Sequence, residues 1–390
     1  MYGYLVNDIL FNIEDTDISL NYGDNYIENY IINTTLKEYL INIKMEINLI
    51  INKWDIVKKY TNKYEYINTP INIENTNIKA SVCSYKPISR SYFKMIEILK
   101  IYDFKFPKDI LSFHLAEGPG GFIEALTNVR KNVNDAYYGM TLMTKNKDIP
   151  NWNKIDNLLS NNKNIHLIYG PKKDGNLYFR HNLDYIKSNF KNKMDFITAD
   201  GGFDYSVDFN KQEENSINLI FCEVIYALTL QKHGGSFILK VFDIFHSNTI
   251  EILYILCYFY EKVYIYKPLT SREANSEKYL ICINFDLKSN YENIMSKLID
   301  GFTNLDLQKV NKILNHDINC YFLNKVQEIN AIYGQQQIEK ILTTVNYIHD
   351  ESSLKEKLNK IKKVNIEKCK KWCKDYNQPI TEGFVTSNVN

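Results

Sequence analysis

Residues 195–202 have the sequence DFITADGG, and residues 236–243 have the sequence SFILKVFD. Each contains a short, mainly apolar run that is followed by a charged residue, Asp200 in the first and Lys240 in the second. A helical pattern lies between them and is followed by Gly234 and Gly235, which we expect to end the helix. These lengths are typical of a βαβ unit in a parallel sheet. Because ligands of such sheets bind at the carboxyl ends of the strands, we expect Asp200 and Lys240 to share one crevice.

Strands and helices continue to alternate on both sides of this unit. On the N-terminal side, a strand is predicted to enter a glycine-rich turn at 116–121, and two further strands are predicted at 136–142 and 164–169. On the C-terminal side we predict a helix over 249–260 and strands over 262–267 and 277–283. The pattern therefore predicts an α/β fold around a largely parallel sheet.

The length of 390 residues predicts extensions around the central domain. We expect an N-terminal extension over 1–80, a central domain over 81–290 and a C-terminal helical extension over 291–390. One helical segment is predicted around Leu36 to Tyr60 in the first extension. In the last, apolar residues between Leu298 and Leu314, and again between Val326 and Ile341, keep helical spacing.

The composition predicts a soluble intracellular, cytoplasmic protein. The 47 basic and 46 acidic residues nearly cancel, so a surface that binds nucleic acid would have to be a local cluster of basic residues. The N-terminus has no signal-peptide pattern, and charges interrupt the longest apolar segment, so neither secretion nor a membrane partner is expected. The seven scattered cysteines fit free thiols, and Cys369 and Cys373 lack the histidine partners of a metal site.

Charged residues are predicted at the open end of the sheet beside the glycine-rich turn. They are Lys94, Asp200, Lys240 and Glu277, in that order along the chain. The turn lacks the pattern of a phosphate-binding loop or a dinucleotide fingerprint. Its Pro119 and Phe122 fit a flat nucleoside better than a pyrophosphate. The sequence therefore predicts a nucleoside-binding turn next to a cluster of two amines and two acids.

With this tetrad the chain resembles the FtsJ/RrmJ-like family of S-adenosylmethionine-dependent RNA ribose 2′-O-methyltransferases, over roughly residues 85–285. It is most similar to the cap-type members, which methylate the first transcribed nucleotide of mRNA. The stretches 139–142, 199–204, 240–243 and 271–279 look like theirs. The resemblance implies a Rossmann-like methyltransferase sheet, mostly parallel with one antiparallel strand in its edge region, and helices on both faces.

The resemblance also implies an active site made of the tetrad. We hypothesise that Lys240 is the general base, that Lys94 and Glu277 orient the ribose, and that Asp200 positions Lys240. A lysine removes the proton of a ribose hydroxyl only if its pKa is lowered, by desolvation or by a neighbouring cation. The two acids act in the opposite direction, so the sequence leaves the balance open.

By the same resemblance, S-adenosylmethionine binds at the glycine-rich turn. The cofactor-binding candidates are Glu117, Gly118, Pro119, Gly120, Gly121, Phe122, Thr141, Asp174 and Asp200. The chain departs from the family at His114, where an acid is usual, and at Glu117, where a small residue is usual. It also has Thr141 where ribosomal-type members carry a ribose-binding Asp.

The implied partner is the 5′ end of capped mRNA. Lys86, Arg90 and Arg272 are candidates for phosphate contacts, and Phe203 is a candidate for stacking on the cap, as are Trp54, Tyr64 and Tyr205. The terminal extensions are candidate docking surfaces for capping or transcription proteins.

Two alternative functions stay open. One is 2′-O-methylation of ribosomal or other structured RNA, and the other is a non-catalytic RNA-binding or processivity subunit that retains the fold. Heavy use of Tyr, Asn, Ile and Lys indicates an AT-rich genome, such as that of a large DNA virus or a protist. A viral source would extend the expected location to viral factories or virions.

Overall fold

The structure is a computed structural model and describes residues 3–23, 30–73, 76–146, 149–202, 209–302, 305, 308–350 and 354–385. The strands are β1 (Tyr4–Leu5), β2 (Ile18–Tyr22), β3 (Ile71–Asn72), β4 (Lys79–Ala80), β5 (Leu111–Leu115), β6 (Ala136–Met140), β7 (Ile165–Leu167), β8 (Met194–Ala199), β9 (Gln231–Val241), β10 (Tyr260–Tyr266), β11 (Lys278–Phe285) and β12 (Val310–Leu314). The α-helices are α1 (Thr34–Leu49), α2 (Ile51–Thr61), α3 (Ser91–Ile101), α4 (Gly121–Arg130), α5 (Asp156–Asn161), α6 (Arg180–Phe190), α7 (Gln212–Leu230), α8 (Ser247–Phe259), α9 (Tyr291–Asp300), α10 (Cys320–His349) and α11 (Leu354–Asp375).

Eight of the described strands form one sheet in the order β1-β10-β11-β9-β8-β5-β6-β7. The strands from β9 to β7 in this order are parallel to one another. Strand β11 is antiparallel to both of its neighbours, β9 and β10. This confirms the predicted sheet, mostly parallel with an antiparallel strand in the edge region. The N-terminal β1 extends that edge, antiparallel to β10.

Side chains of the central strands alternate between two hydrophobic cores. Phe196 and Ile238 pack on the face of the sheet covered by α3 and α4. Their neighbours Ile197 and Leu239 pack on the opposite face, with α7 and α8. A strand buried on both faces favours apolar residues at successive positions, as in 196–197 and 237–239, and the buried hydroxyl of Thr198 hydrogen-bonds to His114 and Glu117. The predicted helices on both faces are therefore confirmed.

One detail of the predicted βαβ unit is wrong. Gly234 and Gly235 do not end the helix, because α7 stops at Leu230 and β9 begins at the next residue. Both glycines lie inside β9, where Gly234 has a φ of +82°. A residue with a side chain is strained at that angle, so the glycine serves a distortion of the strand and not a helix end.

The extensions differ from the prediction at two places. The expected helical segment near Leu36 to Tyr60 is two helices, α1 and α2, separated at Ile50. Residues Val310 to Leu314 form strand β12 and not a helix, and β12 pairs antiparallel with β2 from the other end of the chain. In a segment of five residues the spacing of apolar residues does not distinguish a helix from a strand. Pairing with the distant strand β2 therefore decides that 310–314 is a strand. No helix within the described ranges combines the length and apolar character needed to cross a bilayer.

Candidate active site

The topology of the sheet brings three of the four charged candidates to one edge. Asp200 directly follows β8, Lys240 is the penultimate residue of β9, and Glu277 directly precedes β11. Strands β8 and β9 are adjacent and parallel, so their carboxyl ends meet. Strand β11 is antiparallel to β9, with Tyr279 opposite Lys240, so its beginning reaches the same edge. Lys94 comes from the first turn of α3.

The tetrad forms two ion pairs. Lys94 Nζ lies 2.7 Å from Glu277 Oε1, and Lys240 Nζ lies 3.3 Å from Asp200 Oδ1. Lys240 Nζ also donates a hydrogen bond of 2.7 Å to the main-chain oxygen of Asp200. The four side chains are between 12% and 14% exposed. All four are therefore largely buried, and at these distances their charges act strongly on one another.

The sequence does not decide whether the pKa of Lys240 is lowered by burial or raised by its acidic neighbours. In the structure the acidic neighbours prevail. Burial opposes the charge of Lys240, but the neighbouring carboxylates of Asp200 and Glu277 outweigh it, so the pKa of Lys240 is raised. Burial likewise opposes the charge of Glu277, yet the ammonium groups of Lys94 and Lys240 lower the pKa of Glu277 to about 2. At neutral pH the lysine therefore holds its proton and the carboxylate is ionised.

Two hydroxyl groups that the sequence analysis did not identify support the tetrad. The hydroxyl of Tyr279 donates to Asp200 Oδ1 over 2.9 Å, and that of Ser271 donates to Glu277 Oε1 over 2.9 Å. Tyr279 could have been predicted from the sequence, because it lies two positions after Glu277 and residues two apart on a strand face the same side. Ser271 lies in a loop, where no periodicity indicates a direction.

A buried carboxylate ties the helix of Lys94 to the loop of Glu277. Glu97 lies one turn after Lys94 on α3 and is fully buried. It accepts hydrogen bonds from four donors, the main-chain N–H groups of Leu269 and Thr270, the hydroxyl of Tyr266 and the indole of Trp372. The sequence pattern did not single out this residue. These hydrogen bonds fix α3 relative to the loop 268–277. Because Lys94 lies on α3 and Glu277 lies at the end of this loop, they also fix the distance between Lys94 and Glu277.

A cavity of about 760 Å³ lies between the glycine-rich turn and Lys240. Of the cofactor candidates, Gly118, Pro119, Thr141 and Asp200 line it. A Cβ atom on Gly118 would lie 2.8 Å from the Cα of Asn151, so the turn reaches this position only with glycine. The volume is that of a small-molecule site, and one end opens onto the tetrad.

The remaining cofactor candidates do not line this cavity. Gly120, with a φ of +109°, and Gly121 shape the start of α4. Phe122 is buried, with its ring centroid 5.8 Å from that of Tyr279. Asp174 accepts hydrogen bonds from Asn176 N and Asn182 Nδ2, and its neighbours Gly175 and Asn176 line the cavity instead.

The two residues that depart from the family pattern, His114 and Glu117, contact each other. They are buried with 3.4 Å between His114 Nδ1 and Glu117 Oε2, and Thr198 hydrogen-bonds to both. Nε2 of the histidine lies 3.0 Å from Ser112 Oγ, so both ring nitrogens have partners. Burial raises the pKa of Glu117. His114 lies in β5 and Glu117 in the turn that follows it, buried behind Ala116 and Gly118, which line the cavity.

The basic candidates for RNA contacts are already engaged in part. Arg90 and Arg272 both contact Glu65, at 2.9 Å and 3.0 Å. Burial would raise the pKa of Glu65, but the two arginines lower it to about 2. Lys86 is exposed and hydrogen-bonds to Ser81. Phe203 and Tyr205 lie outside the described residues.

A second cavity, of about 380 Å³, lies on the other side of the tetrad. It is enclosed by α1, α2, α10 and the loop 272–277, and its lining includes Glu277. Gly202 and Lys240 line both cavities. Two ligands bound in the two cavities would therefore meet at Lys240.

Comparisons with known sequences indicate one family. The sequence model described as FtsJ-like methyltransferase matches residues 87–285, which include all four tetrad residues. Cap-specific mRNA (nucleoside-2′-O-)-methyltransferase 2 of Drosophila melanogaster is 30% identical over 63% of this chain and 38% of its own length. Cap-specific mRNA (nucleoside-2′-O-)-methyltransferase of Autographa californica nuclear polyhedrosis virus is 36% identical over 39% of this chain and 60% of its own. The chain thus spans less than two thirds of either relative. A solved chain from a fibrillarin–Nop5p complex covers 56% of this chain and 98% of its own, at 13% identity and a TM-score of 0.35.

Proposed function

We propose a reaction on one premise: the chain belongs to the FtsJ-like methyltransferase family, whose sequence model matches residues 87–285. The reaction is transfer of a methyl group from S-adenosylmethionine to the ribose 2′-hydroxyl of the first transcribed nucleotide of capped mRNA. Relatives named cap-specific mRNA methyltransferases support this choice of acceptor. They are matched over part of their length, so the proposal concerns the domain that they share with this chain.

The observation that carries the proposal is the meeting of two cavities at Lys240. Methyl transfer requires a donor and an acceptor that approach each other in line, each held in its own site. The cavity beside the glycine-rich turn suits the donor, and the cavity under α2 suits the acceptor. The tetrad lies where the two ligands would touch.

The larger cavity fits S-adenosylmethionine in size and in its approach to the tetrad. Gly118 and Pro119 would contact it along the turn, and Thr141 and Asp200 would contact it at the strand ends. When bound, this donor supplies a methyl group activated on a sulfonium cation. An adjacent cation also favours the neutral form of a lysine, which Lys240 needs because its pKa is raised in the free protein.

The tetrad residues then have separate roles. Neutral Lys240 accepts the proton of the 2′-hydroxyl as that oxygen attacks, while Asp200 keeps the Nζ atom in place through the contacts described above. The ionised pair of Lys94 and Glu277 presents a donor and an acceptor that orient the ribose hydroxyls. General-base catalysis of this kind contributes about 10² to 10⁴-fold to the rate.

The test is methyl transfer from labelled S-adenosylmethionine to capped and uncapped copies of one short RNA. We expect label on the 2′-oxygen of the first nucleotide of the capped copy, identified by nuclease digestion. Equal transfer to both copies would replace the cap-specific function with general RNA 2′-O-methylation. Absence of both transfer and donor binding would favour a non-catalytic RNA-binding subunit.

A further inference from the structure

Three consecutive main-chain oxygens just before β11 each accept a hydrogen bond from a lysine amine. They belong to Asn275, Ser276 and Glu277. Lys267 Nζ donates to the first over 2.6 Å and to the third over 2.9 Å, and Lys278 Nζ donates to the second over 2.8 Å. A largely buried carbonyl group without a donor costs free energy, so a segment outside the helices and strands needs partners of this kind. The two lysines therefore supply partners for the segment that carries Glu277.

Lys267 binds this segment with all of its donors. The residue directly follows β10, and its Nζ donates to Asn275 Oδ1 over 2.8 Å as well as to the two main-chain oxygens. A lysine ammonium has three N–H donors and no acceptor, so three acceptors satisfy it completely. Because all three acceptors belong to Asn275 and Glu277, the amine holds these two residues at a fixed separation.

Lys278 connects the same segment to the strand of Lys240. The residue is 4% exposed, and its Nζ also donates to the main-chain oxygen of Phe242 over 2.9 Å. Phe242 directly follows β9, whose penultimate residue is Lys240. The chain just after Lys240 and the chain just before β11 are therefore joined at one amine.

The position of this segment determines what the carboxylate of Glu277 reaches. Its Oε1 lies 2.7 Å from Lys94 Nζ and accepts a hydrogen bond of 2.9 Å from the hydroxyl of Ser271. Ser271 Oγ in turn lies 3.4 Å from Asn275 Oδ1, the side-chain oxygen bound by Lys267. A shift of the segment would therefore move both the carboxylate and the hydroxyl that supports it.

We propose that Lys267 is a positioning residue of the tetrad, which holds the main chain of Glu277 so that its carboxylate reaches Lys94 and the ribose of the acceptor. The effect on the rate rests on the proposed function, whereas the effect on the position of Glu277 does not. Lys267 lines a cavity of about 390 Å³ that none of the tetrad residues lines. A small molecule can therefore reach the place of this amine from a side away from the tetrad.

The test is chemical rescue of Lys267→Ala. This substitution removes three carbons and one amine, the composition of propylammonium, and the space that it leaves adjoins the cavity. Lys267→Met removes the donors but keeps a long apolar side chain in that space, so propylammonium has no room; this variant also tests kcat if the alanine variant does not fold. The matched control is Lys262→Ala, an exposed position near the other end of β10. Lys278 is left intact, because its loss would also remove a cation from Asp243, 3.4 Å away.

We expect kcat for methyl transfer to fall roughly tenfold to a hundredfold in Lys267→Ala and Lys267→Met, the scale for misplaced reacting groups, and to stay at the wild-type value in Lys262→Ala. The affinity for S-adenosylmethionine stays unchanged, since neither Lys267 nor Glu277 lines the larger cavity. Propylammonium restores most of the rate of Lys267→Ala and none of that of Lys267→Met, and 1-propanol restores neither. A wild-type kcat in both variants, or a loss in Lys267→Ala that propylammonium does not reverse, overturns the inference.

Crystal structures of the two Lys267 variants separate this inference from the proposed function. We expect the carboxylate of Glu277 to lie beyond ~4 Å from Lys94 Nζ in both, and to return to ion-pair contact in Lys267→Ala soaked with propylammonium. An unchanged distance between Lys94 and Glu277 overturns the positioning role whether or not the protein transfers methyl groups. A wild type that transfers no methyl group to RNA, while this distance changes as expected, refutes the proposed function instead.

Discussion

The indole N–H of Trp372 donates a hydrogen bond of 3.1 Å to Oε1 of Glu97, although 275 positions separate the two residues in the chain. Trp372 belongs to α11, and Glu97 lies on α3 one turn after Lys94. The ring of Trp372 also packs against Phe93, the residue before Lys94, with centroids 5.7 Å apart. The C-terminal helix is therefore part of the scaffold that positions the tetrad.

We expect Trp372→Phe to destabilise the protein by about 1 to 3 kcal/mol, because a buried carboxylate loses one of its four donors while the aromatic packing is largely kept. The matched control is Trp152→Phe, since the Nε1 of Trp152 is buried without a hydrogen-bond partner. Urea unfolding of both variants measures the difference. The assignment fails if Trp152→Phe costs as much free energy of unfolding as Trp372→Phe.

The substitution Lys240→Ala should reduce methyl transfer by about 10² to 10⁴-fold or more, while binding of S-adenosylmethionine is largely retained. Because the pKa of Lys240 is raised in the free protein, the wild-type kcat/KM should increase roughly tenfold per pH unit at pH values below that pKa, as the neutral form becomes populated. The residual rate of the variant should lack this dependence. Lys232→Ala, an exposed position at the other end of β9, serves as the control. Turnover retained in Lys240→Ala would rule out Lys240 as the base.

Substitution of Glu65 should change the dependence of stability on pH. A carboxylate whose pKa is about 2 in the folded protein stabilises it above the pKa of the unfolded chain, near ~4.3, and this contribution is lost as pH falls toward about 2. We expect Glu65→Gln to lower the free energy of unfolding at pH 7 by about 3 kcal/mol, the lower end for a broken buried pair because its arginine partners are partly exposed.

The difference between Glu65→Gln and the wild type should shrink between pH ~4.5 and about 2. Glu46→Gln removes the same charge from an exposed position on α1 and should leave stability nearly unchanged. A difference that stays constant over this range would show that the carboxylate is not the source of the stabilisation.

The substitution Gly202→Ala should slow transfer because it displaces the amine of Lys240. A Cβ at this position would lie 3.1 Å from Lys240 Nζ and 3.6 Å from its Cε, so the amine must move by a few tenths of an ångström. Because alignment of reacting groups is sensitive to such shifts, we expect kcat to fall by roughly tenfold to a hundredfold. Because Gly202 also lines the larger cavity, calorimetric titration with S-adenosylmethionine separates any change in donor affinity from the change in kcat. An unchanged kcat would indicate that Lys240 has free space on the side of Gly202.

Local patterns determined the central sheet. The short apolar runs that end on Asp200 and Lys240 predict buried strands, and the structure places their side chains in hydrophobic cores on both faces of the sheet. Parallel strands end at one edge, so the meeting of these two charges follows from periodicity and connection lengths alone. Lys94 and Glu277 were predicted at the same edge from a helix start and a strand start, and the resemblance to a known family then implied that all four residues form one active site.

Tertiary contacts decided the rest, because each depends on groups far apart in the chain. Whether 310–314 is a helix or a strand depended on pairing with β2, and the protonation of Lys240 depended on two carboxylates that only folding brings beside it. The role of Glu97 follows from donors on three separate segments. Hydrogen bonds and charge interactions act over a few ångströms, and the distances that control them exist only once the whole chain is packed.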